Sequence, residues 1–196
     1  ERACAVMTDN ATRRDAQGGL HLAYYDGTSN TLVYATRAAS GGSWTKQTIA
    51  SGGSDVTPGG FGELISLTLD ASGGAHVSYS VTSFGASTLM YAHRPPAGSF
   101  TSETMVAASS NVDKPTSIAV DGTGRIHVAY SEYNDVRYAT KPAGSTWSTV
   151  MVMSADYTEP TILLDAEGGV HMVFNAHGSG NDLRYPYKPA GRVWTK

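Results

Sequence analysis

Hydrophobic and polar positions alternate in a pattern that returns along the chain. Short apolar runs, Ser66 to Asp70, Ser117 to Asp121 and Thr161 to Asp165, each end on Asp and are bounded by turn residues. Runs of this length with this composition read as strands buried on both faces. Each leads into D-x-x-G, where Asp can bond its own downstream backbone and Gly supplies a positive φ, the chemistry of a tight hairpin turn. A second strand follows with the form His-apolar-x-aromatic, then a third: TLVYATR, TLMYAHR, DVRYATK or DLRYPYK. A Gly-containing turn and an aromatic residue, Trp44, Phe100, Trp147 or Trp194, open a fourth. The pattern predicts antiparallel meanders of four strands.

Four copies of this unit align on Asp15, Asp70, Asp121 and Asp165, with His21, His76, His127 and His171 six residues later. The Asp spacings of 55, 51 and 44 residues suit the blades of a β-propeller, so the chain is expected to be one all-β domain over residues 1–196. The last copy stops at Val193-Trp194-Thr195-Lys196, whereas the first continues from Trp44-Thr45-Lys46 into Gln47-Thr48-Ile49. Following Lys196 with Glu1 makes the distance from Trp194 round to Asp15 17 residues, against 18 from Trp147 to Asp165. The termini are therefore expected to share the last blade, closing a four-bladed ring without a free edge. The alternative is a homodimer in which two chains form an eight-bladed ring. A fragment of a longer repeat array is a third reading.

Composition narrows the classes of function. Charged residues are 16% of the chain and Gly (22) and Tyr (11) are abundant, which suits short strands and many turns, with few or no helices. A net charge of -3, with no basic run longer than Arg13-Arg14, argues against nucleic acid as a partner. No apolar stretch approaches the roughly 20 residues of a membrane-spanning helix. The start at Glu1 suggests a processed or excised chain, and the low charge with abundant Gly, Ser, Thr and Tyr suggests an extracellular or periplasmic location. Cys4 is the single cysteine, so no disulfide forms within the chain.

The recurring residues are expected to be structural first. Each His can bond the Asp of its turn or a nearby carbonyl, although four imidazoles brought to the axis of a ring would suit a metal. The aromatic series Tyr24/Tyr79/Tyr130/Phe174, Tyr34/Tyr91/Tyr138/Tyr185 and Trp44/Phe100/Trp147/Trp194 is expected to pack between blades rather than to stack on sugars. Arg37, Arg94, Lys141 and Lys188 end the third strands and are expected to snorkel along the surface.

Departures from the repeat carry more functional information. The first copy has Ala11-Thr12-Arg13-Arg14-Asp15 where an apolar strand belongs, so either that strand is frayed and solvent-facing, or Arg13 or Arg14 faces the channel and holds an anion. Loops from second to third strand, and from one unit to the next, vary in length and emerge on one face of the meander. That face is the expected binding face. It presents Asp26, Asn30, Phe84, Glu132, Tyr133, Asn134, Asp135, Asp156, Tyr157, Glu159, His177, Asn181 and Asp182, with a long loop from Ser51 to Glu63. Oxygen-rich side chains mixed with aromatics suit sugars or Ca²⁺, as they suit solvated loops, and no motif demands a cofactor.

Units of the form D-x-x-G-x-x-H-V-x-Y, L-x-Y-A and G-x-W cover nearly the whole chain, which in them resembles bacterial β-propeller repeats of the sialidase-like or BNR-like kind. The resemblance implies a propeller and leaves function open, because such blades occur in glycoside-acting enzymes, lectins and proteins of unassigned role. The turn departs from the Asp-box S-x-D-x-G-x-x-W, in which Asp and Gly stand one residue closer, so sialidase activity is not implied. Glu63, Glu132 and Glu159 are carboxylates without a motif that joins them into a catalytic pair. The leading expectation is a non-catalytic module binding carbohydrate or a protein partner. A sialidase-like hydrolase or polysaccharide lyase is the alternative, and a purely structural repeat the third.

Overall fold

The computed structural model describes residues 10–52, 65–83, 86–109, 115–155, 159–176 and 182–195. These residues contain strands and turns and no helix, hence none long and apolar enough to cross a membrane. The strands form four antiparallel sheets, the blades of a β-propeller. Blade 1 contains β1 (Asn10–Arg14), β2 (Leu20–Asp26), β3 (Thr31–Arg37) and β4 (Thr45–Ser51). Blade 2 contains β5 (Ser66–Leu69), β6 (Ala75–Ser83), β7 (Ala86–Arg94) and β8 (Thr101–Ser109). Blade 3 contains β9 (Ser117–Val120), β10 (Ile126–Glu132), β11 (Asp135–Lys141) and β12 (Ser148–Ser154). In blade 4, β13 (Thr161–Leu164) and β14 (Val170–Ala176) are followed by β15 (Asp182–Arg184) and β16 (Tyr187–Lys188), both paired with β14.

The expected single strand DLRYPYK is thus broken, and the reason is local. Pro186 stands where the other blades have Ala, and it has no N–H to give to a ladder. Beyond it, Thr195 bridges to Tyr187 in the fourth-strand position.

The D-x-x-G turn is built by one carboxylate. Asp70 Oδ1 accepts the N–H groups of Ser72 and Gly74, at 2.8 Å each, while its Oδ2 is left for the second strand. Gly73 has φ +87°, and a Cβ on Gly74 would meet Asp70 Oδ2 at 2.4 Å. The positive φ favours glycine at position 73, whereas at position 74 a side chain requires the Asp70 carboxylate to shift, and blade 3 carries Arg125 at the matching place.

Successive blades bury one face each against the next. Ala23, Tyr25, Leu32 and Tyr34 pack on Leu67, Val77 and Tyr79. Leu89, Tyr91 and Met105 pack on Ile118, Val128 and Tyr130. Val136, Tyr138 and Val152 pack on Ile162, Met172 and Phe174. Each such buried ring or branched side chain contributes ~1.5–3 kcal/mol. Between the innermost strands, Ser66 Oγ accepts the N–H of Ile118 at 3.2 Å and Ser117 Oγ that of Ile162 at 3.1 Å.

One aromatic contact is repeated at every described blade junction. Tyr34 meets Phe100, Tyr91 meets Trp147 and Tyr138 meets Trp194, edge to face, with centroids 5.2, 5.3 and 5.3 Å apart. The basic series does not simply lie along the surface, since Arg94 sits 5.5 Å over Tyr34 and Lys141 6.0 Å over Tyr91. The same roles in the terminal blades are unmatched: Tyr185 is 57% exposed and Trp44 is 40% exposed. Leu163, on the innermost strand of blade 4, is also exposed, so the expectation of burial on both faces fails there, because among the described residues no further blade covers it. The shared blade expected from the termini involves residues outside those described.

Candidate functional site

Each recurring His is locked into its own blade. Nε2–H donates to the turn carboxylate: His21 to Asp15 at 3.0 Å, His76 to Asp70 at 3.0 Å, His127 to Asp121 at 3.3 Å and His171 to Asp165 at 2.9 Å. Nδ1 accepts the hydroxyl of the third-strand Tyr, 2.6 Å from Tyr91 and 2.7 Å from Tyr138, with Tyr34 and Tyr185 placed alike. At His76 and His127, where burial disfavours the charged form, the network is that of a neutral imidazole with its proton on Nε2. Burial pulls His76 and His127 below the ordinary imidazole value, against the opposing pull of their Asp partners. Burial also raises the phenols, Tyr34 to about 12 and Tyr91 further, so these tyrosines remain protonated and are no nucleophiles. The four imidazoles do not converge on an axial ion.

Residues expected on the loop face are largely committed to their own turns. Asp26 Oδ1 accepts the N–H of Thr28 at 3.0 Å, and Asn30 Oδ1 accepts the Tyr25 hydroxyl at 3.0 Å. Arg137 holds Glu132 at 2.8 Å and Asp135 at 3.5 Å, and Arg184 holds Asp182 at 2.9 Å. The Asn134 carbonyl takes the N–H of Ala155. Glu159 is exposed and Tyr133 stands at a hairpin tip with φ +54°. The described carboxylates of this face therefore do not gather into a Ca²⁺ cage. Phe84, Asp156, Tyr157, His177 and Asn181 lie outside the described residues, as does most of the Ser51 to Glu63 loop. Arg13 and Arg14 are exposed on a strand that pairs along its whole length with β2, from Asn10↔Tyr24 to Arg14↔Leu20. That strand is solvent-facing without being frayed.

The structure instead opens a cleft at the opposite end of the blades, where the turns between first and second and between third and fourth strands lie. It encloses about 370 Å³ between blades 2 and 3, and is lined by His76, Tyr91, His93, Thr101, Ser102, Glu103 and Lys141 beside the 142–144 turn. Its polar floor spans the junction: Glu103 of β8 accepts Lys141 Nζ and, at 2.9 Å, the indole N–H of Trp147. Sequence reading missed Glu103 because its partners stand 38 and 44 residues away. The available signal was that Glu103 occupies a position filled by Gln47 and Val150 in neighbouring copies.

No family model matches the sequence, and no curated protein matches it. Among solved structures, the six-bladed fucose-recognising lectin of Aleuria aurantia superposes with a TM-score of 0.67 at 14% identity, over 95% of this chain and 59% of that one. AofleA from Arthrobotrys oligospora gives 0.65 at 15% identity, over 95% and 54%. The Penicillium chrysogenum α-L-arabinanase complexed with arabinobiose gives 0.63 at 9% identity, over 99% and 68%. This chain spans between about half and two thirds of the length of these three proteins. At such identities the likeness is one of fold, and the fold is the β-propeller. Neither a bacterial origin nor a match to sialidase-type repeats comes with it.

Proposed function

We propose that this chain is a non-catalytic recognition module for carbohydrate, and that its ligand occupies the cleft between blades 2 and 3 rather than the opposite loop face. The observation that carries this reading is the lining of that cleft. A carboxylate, an ammonium group, two hydroxyls and imidazole edges meet beside a tyrosine ring in a volume of about 370 Å³. Pockets for small ligands span about 300–1,000 Å³, and a few convergent polar groups give them specificity. Sugar hydroxyls both donate and accept, so they match Glu103, Lys141, Thr101 and Ser102 together. Propellers of similar shape include a lectin for fucose and an arabinanase, which makes sugar the first ligand class to test. An extracellular or periplasmic location accords with such a role.

The enzymatic alternative has less behind it. Glycoside hydrolysis ordinarily uses two carboxylates across the bond, about 5–9.5 Å apart. Among the described residues lining this cleft Glu103 is the one carboxylate, and it is already engaged by Lys141 and Trp147. Glycan-array screening followed by calorimetry on wild type and Glu103→Gln tests the proposal. Saturable binding that the substitution weakens tenfold or more is the expected result, with no sugar released on long incubation. Absence of any glycan binding, or binding indifferent to Glu103→Gln, overturns it. Release of a sugar product would favour the hydrolase.

A further inference from the structure

Blade 2 breaks the repeat at one position whose neighbours are metal-ligating groups. Opposite each recurring His, across the second and third strands, stand Thr36, His93, Thr140 and Tyr187 in blades 1 to 4. In blade 3 the Thr140 hydroxyl donates to the Ile126 carbonyl, and in blade 4 the Tyr187 hydroxyl donates to Asp165 Oδ2 at 3.2 Å. His93 does neither. Its ring lies 4.5 Å from that of His76, and its ring nitrogens have no hydrogen-bond partner among the described residues. One donor atom each from Asp70, His76 and His93 lies within 4.8 Å of the others. His76 and His93 both line the cleft.

We propose that Asp70, His76 and His93 form a site for a first-row divalent cation of the zinc type, with a fourth position facing the cleft. Two imidazoles and a carboxylate suit such an ion, whereas Ca²⁺ and Mg²⁺ prefer oxygen. Bonds of about 2.0–2.1 Å at tetrahedral angles set neighbouring donor atoms roughly 3.3 Å apart. The His76 to Asp70 pair stands at 3.0 Å, so the ion takes the place of the proton they share and His93 closes on it by side-chain rotation. The proton balance is internal. The proton of His76 moves from Nε2 to Nδ1, where the Tyr91 oxygen accepts it, and the Tyr91 O–H turns from Nδ1 toward the cleft. The imidazole stays neutral, oriented from behind by that tyrosine as ligand imidazoles are by their outer partners. Blades 1, 3 and 4 retain the Asp and the His but lack the third ligand, so one ion per chain is expected.

This site does not rest on the carbohydrate reading, because a chain that binds no sugar retains all three ligands. The test is titration of chelator-treated protein with Co²⁺, followed by its visible absorption, and with Zn²⁺ by calorimetry. Wild type is compared with His93→Thr, the residue of blades 1 and 3, and His93→Tyr, the pairing seen in blade 4. Because the fold already accepts both residues at this position, circular dichroism of the two variants should match wild type. One ion per chain, with a tetrahedral Co²⁺ spectrum lost or weakened at least tenfold in both variants, is expected. No stoichiometric binding by wild type, or binding that survives both substitutions, overturns the proposal.

Discussion

Tyr138 and Tyr185 hold the same place in adjacent copies and should differ sharply in what they contribute. Tyr138 is 3% exposed, meets Trp194 edge to face and donates its hydroxyl to His127. Tyr138→Ala removes a buried ring, at a cost of ~3–5 kcal/mol, and leaves buried Nδ1 of His127 without its donor, at ~1–3 kcal/mol. Allowing for partial relaxation, the expected loss is about 4–6 kcal/mol. That approaches the whole stability of many domains, which is about 5–15 kcal/mol. Tyr185, 57% exposed and without an indole neighbour, should cost about 1 kcal/mol on the same substitution. For a chain of this size 1 kcal/mol moves Tm by about 2–4 °C, so the two variants should melt at least ~6 °C apart. Thermal melting by circular dichroism, with urea titration as a second measure, reads the difference, and Tyr138→Phe keeps the comparison alive if the alanine variant fails to fold. Equal losses for Tyr138→Ala and Tyr185→Ala would refute the reasoning, because the outer face of blade 4 would then be covered in solution. Light scattering on the same samples would tell how: a mass of 20.6 kDa means closure within one chain, and twice that means Tyr185 meets Trp44 of a second copy.

Acid should weaken the fold in two stages. His76 and His127 are held below 6.5 when folded, so the unfolded chain binds more protons below that pH, and stability falls as pH drops through about 6.5. Burial raises the Asp121 carboxyl, but hydrogen bonds from Thr123, Arg125 and His127 outweigh it and bring it down to about 2, with Asp70 lowered in the same way. Their contribution is complete above 3.8 and disappears toward pH 2, which urea midpoints measured from pH 8 to pH 2 should resolve; a flat profile contradicts the assignment. Ser66→Ala should cost about 1–3 kcal/mol, because it leaves the buried N–H of Ile118 without an acceptor, and a loss below 0.5 kcal/mol would mean that water replaces the serine.

Much of the fold is legible in residues close together in sequence. The Asp and Gly of each turn act within four residues of one another, and strand alternation has a period of two, so Asp15, Asp70, Asp121 and Asp165 mark their hairpins without any tertiary contact. The Asp–His tie is nearly as local, at six residues. Pro186 carried its own warning, because a residue without an N–H interrupts a ladder wherever it stands. Other features depend on which blades meet. Tyr138 and Tyr185 share a motif, and only the presence or absence of the next blade separates a buried ring from an exposed one. Glu103 and His93 look like ordinary variation in a strand until the third blade brings Lys141 and Trp147 to the one, and the hairpin pairing brings His76 and Asp70 to the other. Turn and strand preferences are short-range and written in each copy of the repeat. A cleft between blades is made of side chains tens of residues apart, and only the closing of one sheet against another puts them in the same place.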